Sequence, residues 1–141
     1  MALKFTDVGA GLVLTAYLKN GWPAGGKDLT IHLYKTNTAL SDTNVLGDFT
    51  ENGITGGGGK TLSNGAGWTV QTAAPPPSAT YSAQTWTFTA AFGDTIYGYY
   101  IIDADSNLLW AEALTAPFTP ANNGDQLTIT PKLCMSEGTP S

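Results

Sequence analysis

Hydrophobic and polar positions alternate with a period of two through most of this chain, the signature of strands that turn one face to a core. "LTIHLYKT" sets Leu29, Ile31 and Leu33 on one face and Thr30, His32 and Tyr34 on the other. "GWTVQTA" brings Trp68 and Val70 together, and "AQTWTFTA" pairs Trp86 with Phe88 between threonines. Threonine and aromatic residues at this density favour a pleated surface. The clearest hairpin joins "TIYGYYII" to "NLLWAEAL" through the polar turn "DADSN". Its first strand is apolar on both sides, with Ile96, Tyr100 and Ile102 on the side assigned to the core and Tyr97, Tyr99 and Ile101 on the side assigned to contact. One side can meet a second sheet; the other needs a different sheet edge, a loop or another subunit. Near the C-terminus, "DQLTITPKLCM" alternates Leu127, Ile129, Leu133 and Met135 against Gln126, Thr128, Thr130, Lys132 and Cys134. Pro131 lacks an N–H for the ladder, which places this strand at a sheet edge or gives it a bulge.

The punctuation agrees with a strand-rich fold. Asn-Gly begins at Asn20, Asn52, Asn64 and Asn123, a dipeptide that tolerates the positive φ of tight turns. Only "DVGAGLVLTAYLKN" has helical character, with Asp7 as N-cap, Leu12, Ala16 and Lys19 at helical spacing, and Asn20-Gly21 to close it. Gly9 and Gly11 weaken that helix. "AAPPP" suits an extended, polyproline-type connection. With no internal repeat and no change of composition, the pattern predicts an all-β protein. Its architecture is a single β-sandwich of about eight strands spanning residues 1–141, with residues 1–28 as an N-terminal arm or short helix and 137–141 as a flexible tail. Jelly-roll connectivity is favoured over an immunoglobulin-like one, because no paired cysteines frame a tryptophan.

Composition narrows the function. A chain of 141 residues with 42% hydrophobic content is large enough to bury its own core. All six basic residues are lysines and the net charge is −5, which weighs against nucleic acid, since arginine forks dominate phosphate and guanine contacts. The charge-free run "VGAGLVLTAYL" is far shorter than the roughly 20 residues of a membrane span, and Asp7 stands where a signal peptide carries positive charge; no membrane association is expected. Cys134 is alone, so it forms no internal disulfide and suits a reducing cytoplasm.

Each catalytic or ligand-binding pattern fails on its spacing. "ENGITGGGGKTLSNG" places Gly59, Lys60 and Thr61 in the order of a phosphate-binding loop, but the required first glycine falls on Ile54, and "LSNGAGW" cannot open a helix. Asp103, Asp105 and Asn107 alternate like calcium ligands, yet the positions for the glycine and the bidentate glutamate hold Leu108 and Leu114. His32, the only histidine, has no Gly-x-Ser-x-Gly elbow to serve. Asp48 with Glu51, and Glu112 two residues after Trp110, are the carboxylates to weigh for glycoside chemistry; an aromatic beside a charge at a sheet rim is the simpler account of the latter. The expectation is a non-enzymatic protein without cofactor or metal. Trp68, Trp86 and Trp110 fall inside strand patterns, whereas Trp22 in "NGWPAGG" lies in a loop suited to partner contact. Exposed indoles also keep a carbohydrate-binding module open as an alternative.

Three segments, "VLGDFTENGI", "TIYGYYIIDADSNLLWAEAL" and "GDQLTITPKLCMS", resemble in order and spacing small structural proteins encoded among the head and tail genes of tailed bacteriophages. The resemblance covers roughly residues 29–136 and is most specific from Tyr97-Gly98-Tyr99 through Trp110-Ala111-Glu112. The chain departs from that group at residues 56–59, four glycines where an aromatic is expected. The resemblance implies a virion component of jelly-roll type, a capsid decoration (cement) protein bound as a homotrimer to the major capsid protein. Such a protein is made in the host cytoplasm and located on the capsid surface; a tail- or fibre-associated role is the alternative. The residues expected at partner contacts are Trp22, Tyr97, Tyr99, Trp110 and Glu112.

Overall fold

A computed structural model of the chain describes residues 7–19, 28–51, 53, 56–65, 67–72, 76–89 and 94–135. One helix, α1 (Asp7–Leu14), precedes nine strands: β1 (Leu29–Tyr34), β2 (Lys60–Leu62), β3 (Trp68–Gln71), β4 (Ser78–Tyr81), β5 (Gln84–Thr87), β6 (Ile96–Ile102), β7 (Leu108–Phe118), β8 (Gln126–Ile129) and β9 (Lys132–Cys134). They form three antiparallel sheets, ordered β2-β1-β6-β7, β3-β4-β9 and β5-β8. The fold is therefore all-β with one short helix, as the alternation predicts; jelly-roll connectivity is a finer statement than these pairings make. Two compact units share the strands. One comprises residues 28–62 and 84–129, the other the described parts of 1–27, 63–83 and 130–141.

The larger unit is organised by β6, which is apolar on both faces. On one face, Ile31 pairs with Ile101 and Leu33 with Tyr99 across the β1–β6 ladder; these four and Leu62 are buried. Trp86 and Phe88, both inaccessible to solvent, tie the β5–β8 pair to this sheet. The Trp86 indole N–H donates to the Gly58 carbonyl at 2.8 Å, Lys60 Nζ lies 5.5 Å from the indole centroid, and Phe88 packs against Phe118. Trp86 and Phe88 thus share the buried side that their spacing predicts.

The opposite face is covered by a loop of the same chain, one of the covers the sequence leaves open. Residues 35–51 fold back over the sheet and insert Phe49 between Tyr34 and Tyr100, with ring centroids 5.0 and 5.6 Å away. Leu46, Tyr97, Ile102, Leu108 and Ala111 pack around this trio. Backbone bonds hold the loop closed: Lys35 N–H donates to Thr50 O at 2.9 Å, and the hydroxyls of Thr36 and Thr38 donate to Asp48 O. Tyr34, expected on the polar side of β1, is instead fully buried. The reason lies across the ladder. Tyr34 pairs with Gly98, and its ring occupies the space a side chain there would fill. A Cβ on Gly98 would stand 2.4 Å from the Tyr34 hydroxyl and 2.2 Å from the Glu112 carbonyl oxygen.

In the smaller unit α1 continues as a π-helical turn, Thr15–Lys19. Its buried positions are Gly11, Leu14 and Leu18, while Leu12 is exposed, so the inward stripe differs from the one expected through Leu12. Gly11 sets the approach: a Cβ there would lie 2.8 Å from the Thr72 side chain. The glycine that lowers helix propensity is thus the one that lets the helix dock. The helix end is closed by residues 64–65, where Gly65 N–H donates to Leu18 O and the Asn64 amide to Tyr17 O. The expected stop, Asn20-Gly21, lies outside the described residues, as do Trp22 and the tail 137–141. Trp68 packs edge-on against Tyr81.

Near the C-terminus the single expected strand is two. Its alternation holds, with Ile129, Pro131 and Leu133 buried and Gln126, Thr128, Thr130, Lys132 and Cys134 exposed, but the ladder breaks at Thr130–Pro131. β8 pairs with β5, and β9 pairs with β4 in the other unit. Both are edge strands, and Pro131, with no N–H to give, accepts from Tyr81 N–H at 2.9 Å.

Gly98 and Gly47 are expected to respond differently to an added methyl group. Gly98→Ala is expected to destabilise the protein by roughly 1–3 kcal/mol through overpacking. Gly47→Ala, whose Cβ meets nothing within 4 Å, should stay within about 0.5 kcal/mol of the parent. Urea unfolding of the two variants distinguishes them; equal losses would contradict the packing of Tyr34 on Gly98.

Candidate functional site

Strand β1 presents His32 to the loop-covered face, where its ring stacks on Tyr100 with a centroid distance of 5.2 Å and an interplanar angle of 9°. Gly59 also lies against the ring, and a Cβ there would come within 2.5 Å of it. His32 Nδ1 shares a hydrogen bond with Glu51 Oε1 at 2.6 Å, and the isolated bridge between Tyr34 and Glu51 anchors the same point of the chain. The imidazole is therefore confined rather than solvated, with a side chain 17% exposed. Its carboxylate fastens the end of the covering loop. Asp48, the other acid of the expected pair, is committed elsewhere. Its Oδ2 accepts from Asn44 Nδ2 at 3.0 Å and from Val45 N–H at 2.9 Å. These bonds, the Asn44 one first, hold its carboxyl below the usual range.

A second polar node joins β6 to β7. Tyr99 and Glu112 are direct cross-strand partners, and the Tyr99 hydroxyl donates to Glu112 Oε2. Burial raises the Tyr99 phenol well above its ordinary value, and the bond to Glu112 and that residue's charge raise it further. The Tyr34 hydroxyl reaches the Glu112 carbonyl oxygen at 3.4 Å; burial, then the Glu112 charge, raises it too. Tyr100 is shifted the same way by burial, followed by the charge of Glu51.

These positions change the expected contact set. Tyr99, assigned to an outward face, is 6% exposed, because β5 and β8 belong to the same unit and cover that side of the sheet. Tyr97 is half-buried against the aromatic trio. Glu112 is exposed but tied to Tyr99. Trp110 is half-buried on the edge strand. No expected contact residue in the described set is therefore a freely projecting aromatic.

A cleft of ≈ 180 Å³ is lined by residues 108–111 of β7 and by residues 40–42 and 44 of the covering loop. The loop wall is braced from within: Ser41 N–H donates to Asn44 Oδ1 at 2.6 Å, the Asn44 amide reaches Asp48, and the Ser41 and Thr43 hydroxyls share a bond of 2.9 Å. Sequence reasoning missed this wall, because "TNTALSDTN" has neither period. Its signal was the cluster of short polar residues that bond their own backbone.

The other motifs resolve as local structure. Asp103 Oδ1 accepts from the N–H groups of Asp105 and Asn107, both at 2.9 Å, and Oδ2 accepts from the Asn107 amide; the calcium-like spacing is a self-bonded turn with Ser106 at φ 64°. Among the described residues no three His, Cys, Asp or Glu side chains gather as metal ligands, and no helix is long and apolar enough to cross a membrane. Lys60 begins a strand rather than preceding a helix, and its ammonium lies over Trp86.

These pKa shifts give the fold a pH dependence at each end of the range. Tyr34, Tyr99 and Tyr100 have folded values above 10.0, so their contribution is complete below that value and is lost as pH rises through the folded ones. Asp48 and Asp125, the latter bonded by the N–H groups of Asn122 and Ala121, lie below 3.8. Their contribution is present above that value and is lost as pH falls through the lower folded ones. In an alkaline titration followed by tyrosinate absorbance, part of the signal is expected only with unfolding, and Tyr99→Phe should shrink that late phase. All six tyrosines ionising together while the protein stays folded would contradict the buried network.

Comparison with protein-family models, with curated proteins and with solved structures finds no match to this chain.

Proposed function

We propose that this chain is a structural protein of a tailed-bacteriophage virion: a capsid decoration protein that binds, as a homotrimer, to the shell of major capsid protein. One observation carries the reading. The two segments that hold most of the resemblance, "VLGDFTENGI" and the β6–β7 hairpin, pack directly on each other, with Leu46 and Phe49 of the first against Tyr100, Leu108 and Ala111 of the second. The resemblance therefore lies in residues that fold as one body. The acids, the histidine and the tyrosines of that body act on one another as fasteners, which suits a protein that works through its surface.

The surface that fits a shell is apolar and lies on α1. Leu12 and Val13 are 62% and 41% exposed, side by side on a helix whose other side is buried through Leu14 and Leu18. An exposed apolar pair beside a buried stripe is a contact waiting for a partner. In this reading the shell contact passes from the expected aromatics to Leu12 and Val13.

Mass spectrometry of purified particles is expected to find the chain in copy numbers on the scale of the shell; few copies would indicate a tail or fibre place. Leu12→Asp combined with Val13→Asp should keep the circular dichroism and melting temperature of the parent while losing particle occupancy. Detection only in infected-cell lysate, or full occupancy by the double variant, would overturn the proposal.

A further inference from the structure

Strand β7 ends the four-stranded sheet and, among the described residues, pairs with β6 alone. We propose that its open edge at Ala111 and Ala113 takes up an extended, basic segment of a partner protein as an added strand, with a lysine or arginine of that segment laid in the cleft beside Asp42. The inference does not depend on the virion reading, and it uses none of the Leu12–Val13 surface.

Three observations carry it. First, neighbouring residues fix the direction of the β7 backbone. The Glu112 carbonyl points toward β6, since it lies 3.4 Å from the Tyr34 hydroxyl and 2.2 Å from where a Gly98 Cβ would stand. Hydrogen-bonding groups alternate sides residue by residue along an antiparallel strand, so Ala111 and Ala113 turn their N–H and C=O groups away from the sheet. No loop or turn bond among the described residues reaches them there. Second, this stretch lacks the guards that close natural edges. Between the two register shifts of the β6–β7 ladder, residues 110–113 contain neither lysine nor proline. By contrast β2, the opposite edge of the sheet, is three residues long and opens on Lys60. Third, the cleft of ≈ 180 Å³ lies beside the same residues. An added strand gains main-chain bonds from the edge, and the cleft receives one of its alternate side chains. The loop wall of that cleft is already braced by Asn44 and Asp48, so little ordering cost remains for a ligand.

Charge selects the occupant. Asp42 is exposed, lines the cleft and has no hydrogen bond or ion pair among the described residues. Glu112 is exposed on the strand itself, and Asp103 and Asp105 stand in the turn that leads into it. The lysines of this unit are engaged elsewhere, Lys35 with Asp94 at 2.9 Å and Lys60 over Trp86. A strand carrying lysine or arginine meets these acids with the opposite sign. The apolar stem of either residue suits a cleft lined in part by Leu40 and Leu108, and its charged end can reach Asp42. A second copy of the chain is the rival occupant. Pairing β7 with its own copy would set the same acids against each other, which destabilises the pair, on a chain of net charge −5.

The test is NMR on the full chain with the end-blocked peptide Thr-Val-Lys-Val-Lys-Thr as probe. Its counterpart with glutamate in place of lysine tests charge, and a version N-methylated at its central residues tests main-chain pairing. The lysine peptide is expected to shift the amides of Ala111 and Ala113 at millimolar concentration and to slow their hydrogen exchange. Asp42→Asn should weaken that binding about threefold, the scale of an exposed ion pair. Ala113→Pro, which removes one outward N–H, should weaken it on the order of tenfold. Both variants are expected to keep the melting temperature of the parent; should the proline variant unfold, the N-methylated peptide decides the same point. No shift of these amides at millimolar peptide, equal binding of the glutamate or N-methylated peptide, or self-association in sedimentation that protects the same amides would each overturn the proposal.

Discussion

The larger unit depends on covering a strand that is apolar on both sides. β6 carries Tyr99 and Ile101 on one face and Tyr100 on the other, all buried, and each large side chain contributes on the order of 1.5–3 kcal/mol only if water is removed from it. The chain meets this demand twice. Trp86 and Phe88 bring the β5–β8 pair to one side, and a loop with no regular structure beyond one short turn brings Phe49 to the other. A loop makes an expensive cover, because its backbone must be ordered without a ladder. That requirement accounts for the polar residues around it: the Thr36 and Thr38 hydroxyls on Asp48, the Asn44–Asp48 brace, and Glu51 on His32. Gly98 completes the arrangement by leaving room for Tyr34.

How far the sequence reveals this depends on the range of the interaction. Period-two alternation is local, and it correctly marks the buried sides of "LTIHL", of Trp86 with Phe88, and of the C-terminal run through Leu133. Tyr34 is misplaced by the same rule, because what buries it is a glycine 64 positions along the chain (34 to 98) on a neighbouring strand. Pro131 carries a correct warning of an irregular edge, but the consequence, one alternating run divided between two sheets, depends on which strands stand beside each half. β2 and β4 are three and four residues long, too short for a period to register. The helix stripe runs through Gly11 rather than Leu12 because close approach to Thr72 outweighs side-chain hydrophobicity at that position.

The candidate chemistry follows the same division. Spacing alone disposes of the phosphate loop and the calcium loop, and the structure supplies what those residues do instead: Lys60 covers an indole and Asp103 closes a hairpin. Among the expected contact residues, Tyr99 is where sequence reasoning falls short: it looks like an exposed aromatic but is buried and paired across the ladder with Glu112, which stays exposed. The cleft and the Leu12–Val13 pair were hidden for the opposite reason: each is defined by what fails to cover it.

Both faces of β6 are covered within a single chain, so that no subunit contact is needed to fold it. Native-state hydrogen exchange on the dilute, monomeric protein tests this directly. The amides of Tyr99, Tyr100 and Ile101 are expected among the slowest in the chain, exchanging only through global unfolding and at rates independent of protein concentration. Fast exchange of these amides in the monomer, with protection appearing only as the chain associates, would mean that another subunit supplies the cover.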